Sequence, residues 1–302
     1  CFSVSSLDYN DDGWPDISLA CDSTASILYR NNKDGTFTDV AVDAGVAFDE
    51  NGREQAGMGF TVGDYNGDGR PDIFKTNFSD DTSSLYRNDG GGNFTDISYQ
   101  LGLAEPTIPF LGWGDAFLDY DNDGWKDIII SNGHVYPQVD KTDWGTSWAQ
   151  RPLLFRNLRG KKFDEVPAHE GRAVAKTYVG RGLAAGDLFN DGKLDVVINV
   201  LDGHPALLRN VSADKHHWVE LKLIGGPRSP RDAIGSTVYL TANGMKQRGD
   251  VVAGGSYAST SDPRLHFGLG DATKIDAIEV HWPDGSKEKF TLDKVDQIVT
   301  LT

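Results

Sequence analysis

The sequence of 302 residues has little cysteine, little positive charge and no long apolar run. Its 29 Lys and Arg residues are outnumbered by 45 Asp and Glu residues, so the net charge is −16 at pH 7. This excess of negative charge argues against nucleic acid or an anionic membrane as the main partner. Because no apolar run reaches the roughly 18 residues that a spanning helix needs, we expect no membrane span.

Helical periodicity is nearly absent, and so are the familiar catalytic motifs. The sequence contains no HExxH, no CxxC, no Gly-rich phosphate loop and no Ser-His-Asp arrangement. A carboxylate pair for glycoside hydrolysis cannot be singled out either, because Asp recurs throughout the chain. These absences favour an all-β binding or structural protein over an enzyme that a motif would identify.

The two cysteines, Cys1 and Cys21, lie on either side of the first acidic loop. An antiparallel hairpin centred on that loop would bring them close together, so a disulfide is one possibility and two free thiols are the other. Cys1 could also be the lipid-bearing first residue of a bacterial lipoprotein, although its position inside an expected strand argues against that.

An acidic loop of nine residues occurs four times along the chain. It reads DYNDDGWPD at Asp8–Asp16, DYNGDGRPD at Asp64–Asp72, DYDNDGWKD at Asp119–Asp127 and DLFNDGKLD at Asp187–Asp195. Positions one, five and nine are Asp and position six is Gly in every copy. So many carboxylates in one tight turn repel one another unless a cation neutralises them. Oxygen ligands on alternate residues, followed by a glycine that allows a sharp bend, indicate a calcium loop.

The expected calcium ligands are the side chains at positions one, three, five and nine and the main-chain carbonyl at position seven. In chain order these residues are Asp8, Asn10, Asp12, Trp14, Asp16, Asp64, Asn66, Asp68, Arg70, Asp72, Asp119, Asp121, Asp123, Trp125, Asp127, Asp187, Asp191, Lys193 and Asp195. Phe189 supplies no side-chain oxygen at position three of the fourth loop, so we expect three to four Ca²⁺ sites. Position twelve is never Glu, which excludes the EF-hand. The alternative is a set of ordinary Asp/Asn/Gly turns, which four loops in register disfavour.

Each acidic loop belongs to a longer repeat, since the loop starts are 56, 55 and 68 residues apart. One short strand precedes the loop, an apolar strand follows it, and the next strand ends in Arg-Asn: LYRN, LYRN, LFRN or LLRN. Three repeats add a further strand, FTDV, FTDI or FDEV. Four short strands per repeat, with turn residues between them, are typical of a propeller blade.

The tail of the chain has a different pattern and is expected to form a second domain. VELKL and IEVHW alternate apolar and polar residues, as half-buried strands do. With STVYLTA, GDVVAGG, LHFGLG, KEKFTL and QIVTLT they predict a small β-sandwich. We therefore expect propeller blades over residues 1–212 and the sandwich over residues 213–302.

The repeats and the tail together resemble a known family. Its blades resemble FG-GAP (VCBS-type) repeats, the calcium-loop blades of integrin α-chain propellers. The tail, from HHWVELKL to IEVHWPDGS, resembles an ASPIC/UnbV domain. This pairing is that of the cartilage-acidic-protein-like family, and the resemblance covers essentially the whole chain. Because integrin-like propellers have seven blades, the resemblance implies that the four visible repeats are part of a larger propeller with further blades upstream.

The third repeat carries an insertion of about 15 residues that is rich in aromatic side chains. Long loops on a rigid scaffold often carry recognition, and Trp and Tyr stack on sugars or anchor partner proteins. The candidates for ligand contact are His134, Tyr136, Asp140, Trp144 and Trp148. The alternative is that this insertion packs against a neighbouring blade or the tail domain.

Together these features predict a calcium-binding interaction or adhesion module that presents propeller loops to a protein or glycan partner. Millimolar calcium outside the cytoplasm suits such loops, so we expect an extracellular, periplasmic or cell-surface location. One alternative is an enzyme of the polysaccharide lyase or hydrolase type, which would need His134, Tyr136 and Asp140 to converge in a pocket. The other is a structural subunit of an extracellular assembly.

Overall fold

The computed structural model describes residues 1–169 and 173–302. Nearly all of the regular structure in this part of the chain is β-strand. The helices are single turns: α1 (Ala41–Ala44), α2 (Ala104–Thr107) and a 3-10 helix (Pro137–Lys141). None of the helices described is long and apolar enough to cross a membrane.

Four antiparallel sheets follow one another along the chain, each with its strands in sequence order. The first contains β1 (Ser3–Leu7), β2 (Asp16–Ala20), β3 (Ile27–Asn31) and β4 (Phe37–Asp39). The second contains β5 (Phe60–Gly63), β6 (Asp72–Lys75), β7 (Ser84–Gly90) and β8 (Asn93–Asp96). The third contains β9 (Gly112–Leu118), β10 (Asp127–Asn132), β11 (Leu153–Asn157) and β12 (Phe163–Glu165). The fourth contains β13 (Gly180–Gly186), β14 (Asp195–Val200) and β15 (Ala206–Leu208).

These sheets are the blades expected from the repeat, and we call them blades 1 to 4. In each blade the acidic loop joins the first strand to the second, and the Arg-Asn motif lies near the end of the third. The first strands of successive blades lie beside one another. The all-β, blade-type fold is therefore confirmed, while the number of blades in a complete propeller stays a prediction.

Apolar side chains from neighbouring blades form a core at each junction. Leu28, Phe60 and Tyr86 lie between blades 1 and 2, and Phe74, Ile128 and Phe155 lie between blades 2 and 3. A third cluster around Leu183, Val196 and Ile198 joins blades 3 and 4. Because each sheet buries apolar side chains against its neighbour, the blades are held together by hydrophobic packing.

The tail forms two sheets that pack face to face around a separate core. One sheet contains β16 (His217–Leu223), β19 (Leu265–Gly270) and β22 (Gln297–Leu301). The other contains β17 (Thr237–Ala242), β18 (Met245–Asp250), β20 (Ala277–His281) and β21 (Lys287–Phe290). This is the β-sandwich expected from the alternating pattern, and the domain boundary at residue 212 stays a prediction.

The predicted position of one sandwich strand was wrong. The sequence predicts a strand in GDVVAGG, but β18 ends at Asp250, and most of GDVVAGG is not in a strand. The reason is the tight turn at Asn243 and Gly244, where φ is 48° and 77°, which pairs Ala242 with Met245. That turn sets the register of β18 and moves the strand towards the N-terminus.

The segment after β18 joins the sandwich to the inner strands of the propeller. Gly254 forms an isolated bridge with Ser5 of blade 1. The Ser256 hydroxyl accepts a hydrogen bond from the Asp115 amide at 3.0 Å, and the Ser259 hydroxyl accepts one from the Leu183 amide at 3.0 Å. The sandwich is therefore tied to blades 1, 3 and 4 through main-chain groups.

The two cysteines are joined by a disulfide between Cys1 and Cys21. It lies where β1 and β2 pair, since Ser3 is opposite Ala20. The hairpin that was expected to bring the two residues together is therefore present, and the thiols are not free.

Candidate metal centre

All four acidic loops use their first and fifth Asp side chains to hold the turn. The carboxylate at position one accepts hydrogen bonds from the amides at positions five and six. In the third loop these bonds run from Asp123 and Gly124 to Asp119, at 3.1 and 2.8 Å. The carboxylate at position five accepts a hydrogen bond from the amide at position seven. In the third loop this bond runs from Trp125 to Asp123 at 3.0 Å. The turn therefore folds around its own carboxylates.

The ninth-position Asp connects the loop to the rest of its blade. Asp127 accepts hydrogen bonds from the amides of Tyr120, at 3.1 Å, and Asn157, at 2.7 Å. Asp16 and Asp72 make the equivalent bonds. This carboxylate is thus fixed at the start of the second strand with its side chain directed into the loop.

The third loop brings three buried carboxylates together. One ligand oxygen each from Asp119, Asp121 and Asp127 lies within 4.8 Å of the other two. Asp121 Oδ2 pairs with Arg156 at 2.7 Å, whereas Asp121 Oδ1 is buried and has no hydrogen-bond partner in the part of the chain that the structure describes. A buried oxygen without a donor is costly unless a cation or a proton satisfies it.

Burial and mutual repulsion disfavour the ionised form of these acids. Burial first, and then the charge of a neighbouring carboxylate, raise the pKa of Asp119 and of Asp127 well above the usual range. In the first loop, burial raises the pKa of Asp16 to about 6. A divalent cation among these oxygens would reverse both effects, because it favours the charged form of every ligand.

The donor set fits a hard cation such as Ca²⁺. It consists of carboxylate and amide oxygens on alternate residues, with a glycine at the bend and no sulfur or imidazole. Gly13, Gly69, Gly124 and Gly192 all have positive φ, between 79° and 92°. The expected carbonyl ligands of Trp14, Arg70, Trp125 and Lys193 stay predictions, as do the ligand roles of the side chains.

The other three loops share the backbone pattern of the third and differ in their side chains. Asn10 and Asn66 stand at position three of the first two loops, and their amide groups donate to Asp12 at 3.2 Å and to Asp68 at 3.0 Å. In the fourth loop Phe189 lies under the Arg209 guanidinium, 4.1 Å from ring to cation. That loop therefore has fewer oxygens.

The Asn of three of the four Arg-Asn motifs has a role that the sequence did not suggest. The side chain of Asn157 donates to the carbonyl of Tyr65, in the preceding blade, and to that of Lys126, both at 2.8 Å. Asn88 and Asn210 reach the preceding blade in the same way, at 2.8 and 2.7 Å. The signal was the strict recurrence of Asn near the end of the third strand, and the carbonyl that it reaches belongs to position two of the preceding acidic loop.

The structure brings candidate residues of the aromatic insertion together in pairs, with the rings of His134 and Tyr136 5.7 Å apart. His134 is buried, with its Nδ1 accepting a hydrogen bond from the Tyr136 amide at 3.0 Å. Tyr136 and Trp144 are 55% and 61% exposed, and exposed Asp140 accepts a hydrogen bond from the Trp148 amide at 2.8 Å. His134 thus supports the insertion, and Tyr136 and Trp144 reach the surface.

The insertion and the acidic loops lie at opposite ends of the blade. The third loop follows Leu118, at the end of β9, whereas the insertion follows Asn132, which pairs with Gly112 at its start. A strand of this length separates the two by roughly 20 Å. The propeller therefore has a loop end and an insertion end.

Comparisons with known proteins match both parts of the chain. A model of the FG-GAP-like repeat matches residues 8–75 and 64–130, and a model described as ASPIC and UnbV matches residues 226–302. Cartilage acidic protein 1 of Homo sapiens is 28% identical over 279 residues, which cover 88% of this chain and 39% of the relative. The Mus musculus protein of the same name is 27% identical over 278 residues, covering 88% and 40%. The chain thus spans about two fifths of the length of these relatives.

Two solved structures show weaker likeness. A lectin of Agrocybe aegerita, described as recognising non-reducing terminal N-acetylglucosamine, is 19% identical with a TM-score of 0.36, over 69% of this chain and 53% of the other. The V. cholerae biofilm matrix protein Bap1 is 11% identical with a TM-score of 0.35, over 96% and 48%. TM-scores this low do not establish a common architecture.

The repeat and tail matches fall on the segments whose motifs suggested them, and the relatives align across both. The chain therefore combines FG-GAP-like repeats with an ASPIC and UnbV domain and is homologous to cartilage acidic protein 1.

Proposed function

We propose that this chain is a calcium-binding extracellular interaction module. Ca²⁺ occupies the acidic loops and holds the loop end of the propeller in shape. The observation that carries this proposal is the buried group Asp119, Asp121 and Asp127, whose ligand oxygens lie within 4.8 Å of one another. Three carboxylates this close and this buried favour a bound cation over three separate charges.

An extracellular location is supported by two observations. The Cys1–Cys21 disulfide is of a kind that persists in oxidising compartments. The relatives are named for cartilage, and extracellular calcium is abundant enough to fill sites of moderate affinity.

Thermal melting with and without calcium tests the metal role. The wild-type chain should melt at a higher temperature in saturating CaCl₂ than in EDTA, because ligand bound only to the folded state adds about 2.7 kcal/mol per site at one hundred times Kd. Asp127→Asn removes a charge from the proposed third site and should reduce the calcium-induced shift. Asp164→Asn, at an exposed position on β12, is the matched control and should keep the full shift. Equal melting in EDTA and calcium for the wild-type chain would refute the proposal.

We propose that the partner, a protein or a glycan, contacts the insertion end of the propeller. Tyr136 and Trp144 are exposed there, whereas the sandwich covers much of the loop end. The enzymatic alternative is not supported by the residues on which it relied, since His134 is buried and tied to the Tyr136 amide.

Glycan-array binding in calcium tests this surface. The double variant Tyr136→Ala and Trp144→Ala should lose binding to whichever glycans the wild-type chain retains. Tyr99→Ala removes an exposed tyrosine of blade 2 and should bind as the wild-type chain does. Retention of binding by the double variant would place the contact elsewhere.

A further inference from the structure

The fourth position of each acidic loop lies outside the proposed ligand set and faces the sandwich. Asp11, Asn122 and Asn190 occupy it in the first, third and fourth loops, all with positive φ between 53° and 56°. Asp11 accepts a hydrogen bond from Arg248 at 3.0 Å. Asn190 accepts one from Arg264 at 2.8 Å, and the side-chain Oδ1 of Asn122 lies 2.7 Å from Nε2 of His266.

The sandwich also binds the main chain of the loops. Arg248 donates to the carbonyl of Gly69, in the second loop, at 3.0 Å. Arg264 donates to the carbonyl of Asp187, the first residue of the fourth loop, at 2.9 Å. The Gly270 amide donates to the carbonyl of Asn122 at 2.8 Å. All four loops are therefore contacted by one domain.

Two glycines show how closely the domains approach. A Cβ added to Gly268 of β19 would lie 2.0 Å from Oδ2 of Asp119, a proposed metal ligand. A Cβ added to Gly192, in the fourth loop, would lie 2.0 Å from the Trp218 ring. Such contacts leave no room for a loop whose shape has changed.

The arginines that make these contacts are held in place by carboxylates of the sandwich itself. Arg248 is 3% exposed and is bound by Asp250 at 2.9 Å. Arg264 is paired with Asp262 at 2.6 Å and with the fully buried Glu220 at 2.8 Å. If the loops moved away, guanidinium N–H groups in this buried interface would lose their acceptors, which is energetically costly.

We propose that the sandwich docks on the propeller by recognising the ordered shape of the acidic loops, so that cation binding and docking strengthen each other. This coupling rests on the proposed calcium binding. The sandwich contacts the side chains at the fourth loop position, so the ligand oxygens remain free to face the ion. Because coupling between two binding events is reciprocal, weakening the docking contacts must weaken cation binding.

Calcium titration of the full chain by calorimetry tests this reciprocity. The double variant Asn122→Ala and Asn190→Ala keeps every proposed ligand and should bind Ca²⁺ at least about fivefold more weakly than the wild-type chain. Gly268→Ala keeps every fourth-position side chain but forces a methyl group against Asp119 of the third loop, and it should weaken binding in the same way. Asn199→Ala, at an exposed position on β14, should leave the affinity unchanged.

Hydrogen exchange of the same proteins gives a second readout. In the wild-type chain, amides of β18 and β19 should exchange faster in EDTA than in calcium, and in the double variant they should exchange fast in both. The coupling would be overturned if both variants bound Ca²⁺ with wild-type affinity and the exchange rates of β18 and β19 did not depend on calcium. That result would leave the proposed calcium role intact. A wild-type chain that binds no calcium in the titration would overturn both.

Discussion

At the scale of single residues, the acidic loops owe their shape to where each oxygen is placed. The first and ninth Asp of every loop were recognisable from the sequence, because their spacing is fixed by the turn. The roles of other residues depend on contacts far along the chain. Asp11 meets Arg248, and Asn122 meets His266, so no local pattern could reveal these pairs.

Asp115 is a buried acid outside the loops that the repeat pattern did not identify. It is fully buried on β9, and within residues 1–169 and 173–302 neither carboxylate oxygen has a partner in hydrogen-bonding geometry. Leu183 and Phe60 occupy the matching positions of blades 4 and 2, so the position is apolar in its neighbours. Burial raises the pKa of Asp115 well above its usual range, so the folded state disfavours its ionised form.

Asp115→Asn should therefore stabilise the chain near neutral pH. Because the pKa of Asp115 is higher in the folded than in the unfolded state, Asp115 destabilises the folded chain at high pH. The loss of folding stability begins as the pH rises above the unfolded pKa of about 4 and is complete once the pH exceeds the folded pKa. Denaturant unfolding in saturating calcium should show a gain of about 1–3 kcal/mol at pH 7, shrinking towards zero as the pH falls to 4. A gain that does not depend on pH, or a loss at pH 7, would contradict this account.

At the scale of the element, the blades were the most predictable part of the molecule. Loop spacing, short apolar runs and the Arg-Asn motif indicated the strands of all four sheets, because the strand and turn signals repeat. The sandwich strand β18 was misplaced because the turn at Asn243 and Gly244 sets its register, and an apolar stretch beyond it resembles a strand. Local signals therefore define strands well and their ends less well.

The Asn of the Arg-Asn motif should contribute most where a preceding blade is present. Asn157→Ala removes side-chain bonds to Tyr65, Lys126 and Gly160 in a buried setting and should cost about 2–4 kcal/mol in denaturant unfolding. Asn31→Ala is the matched control, because Asn31 is half-buried and its side chain bonds only Pro15 and Lys33 among the described residues. We expect the control to cost less than about 1 kcal/mol. Equal losses in the two variants would show that the bond between blades adds little.

At the scale of the whole molecule, the arrangement divides the propeller into two ends. The sandwich covers the acidic loops, and the aromatic insertion of the third repeat lies at the far end. The sequence predicted both domains but not how they dock, because docking depends on contacts between residues 74 to 237 positions apart. The acidic loops therefore serve as part of a domain interface in addition to their place in each blade.

Removing calcium should loosen this interface before it unfolds the blades. Each blade is also held by apolar cores between sheets, which do not involve the cation. Limited proteolysis in EDTA should therefore cut first near residues 211–216, between β15 and β16, and calcium should slow that cut. Cleavage at the same site and rate in both conditions would show that the domains dock without the ion.

The most direct test of the central claim is a crystal structure grown in saturating Ca²⁺, with anomalous data collected to locate calcium. We predict an anomalous peak within bonding distance of Asp119, Asp121 and Asp127, and further peaks in the first and second loops. A map without a peak at any loop, and with these side chains turned to solvent, would contradict the account.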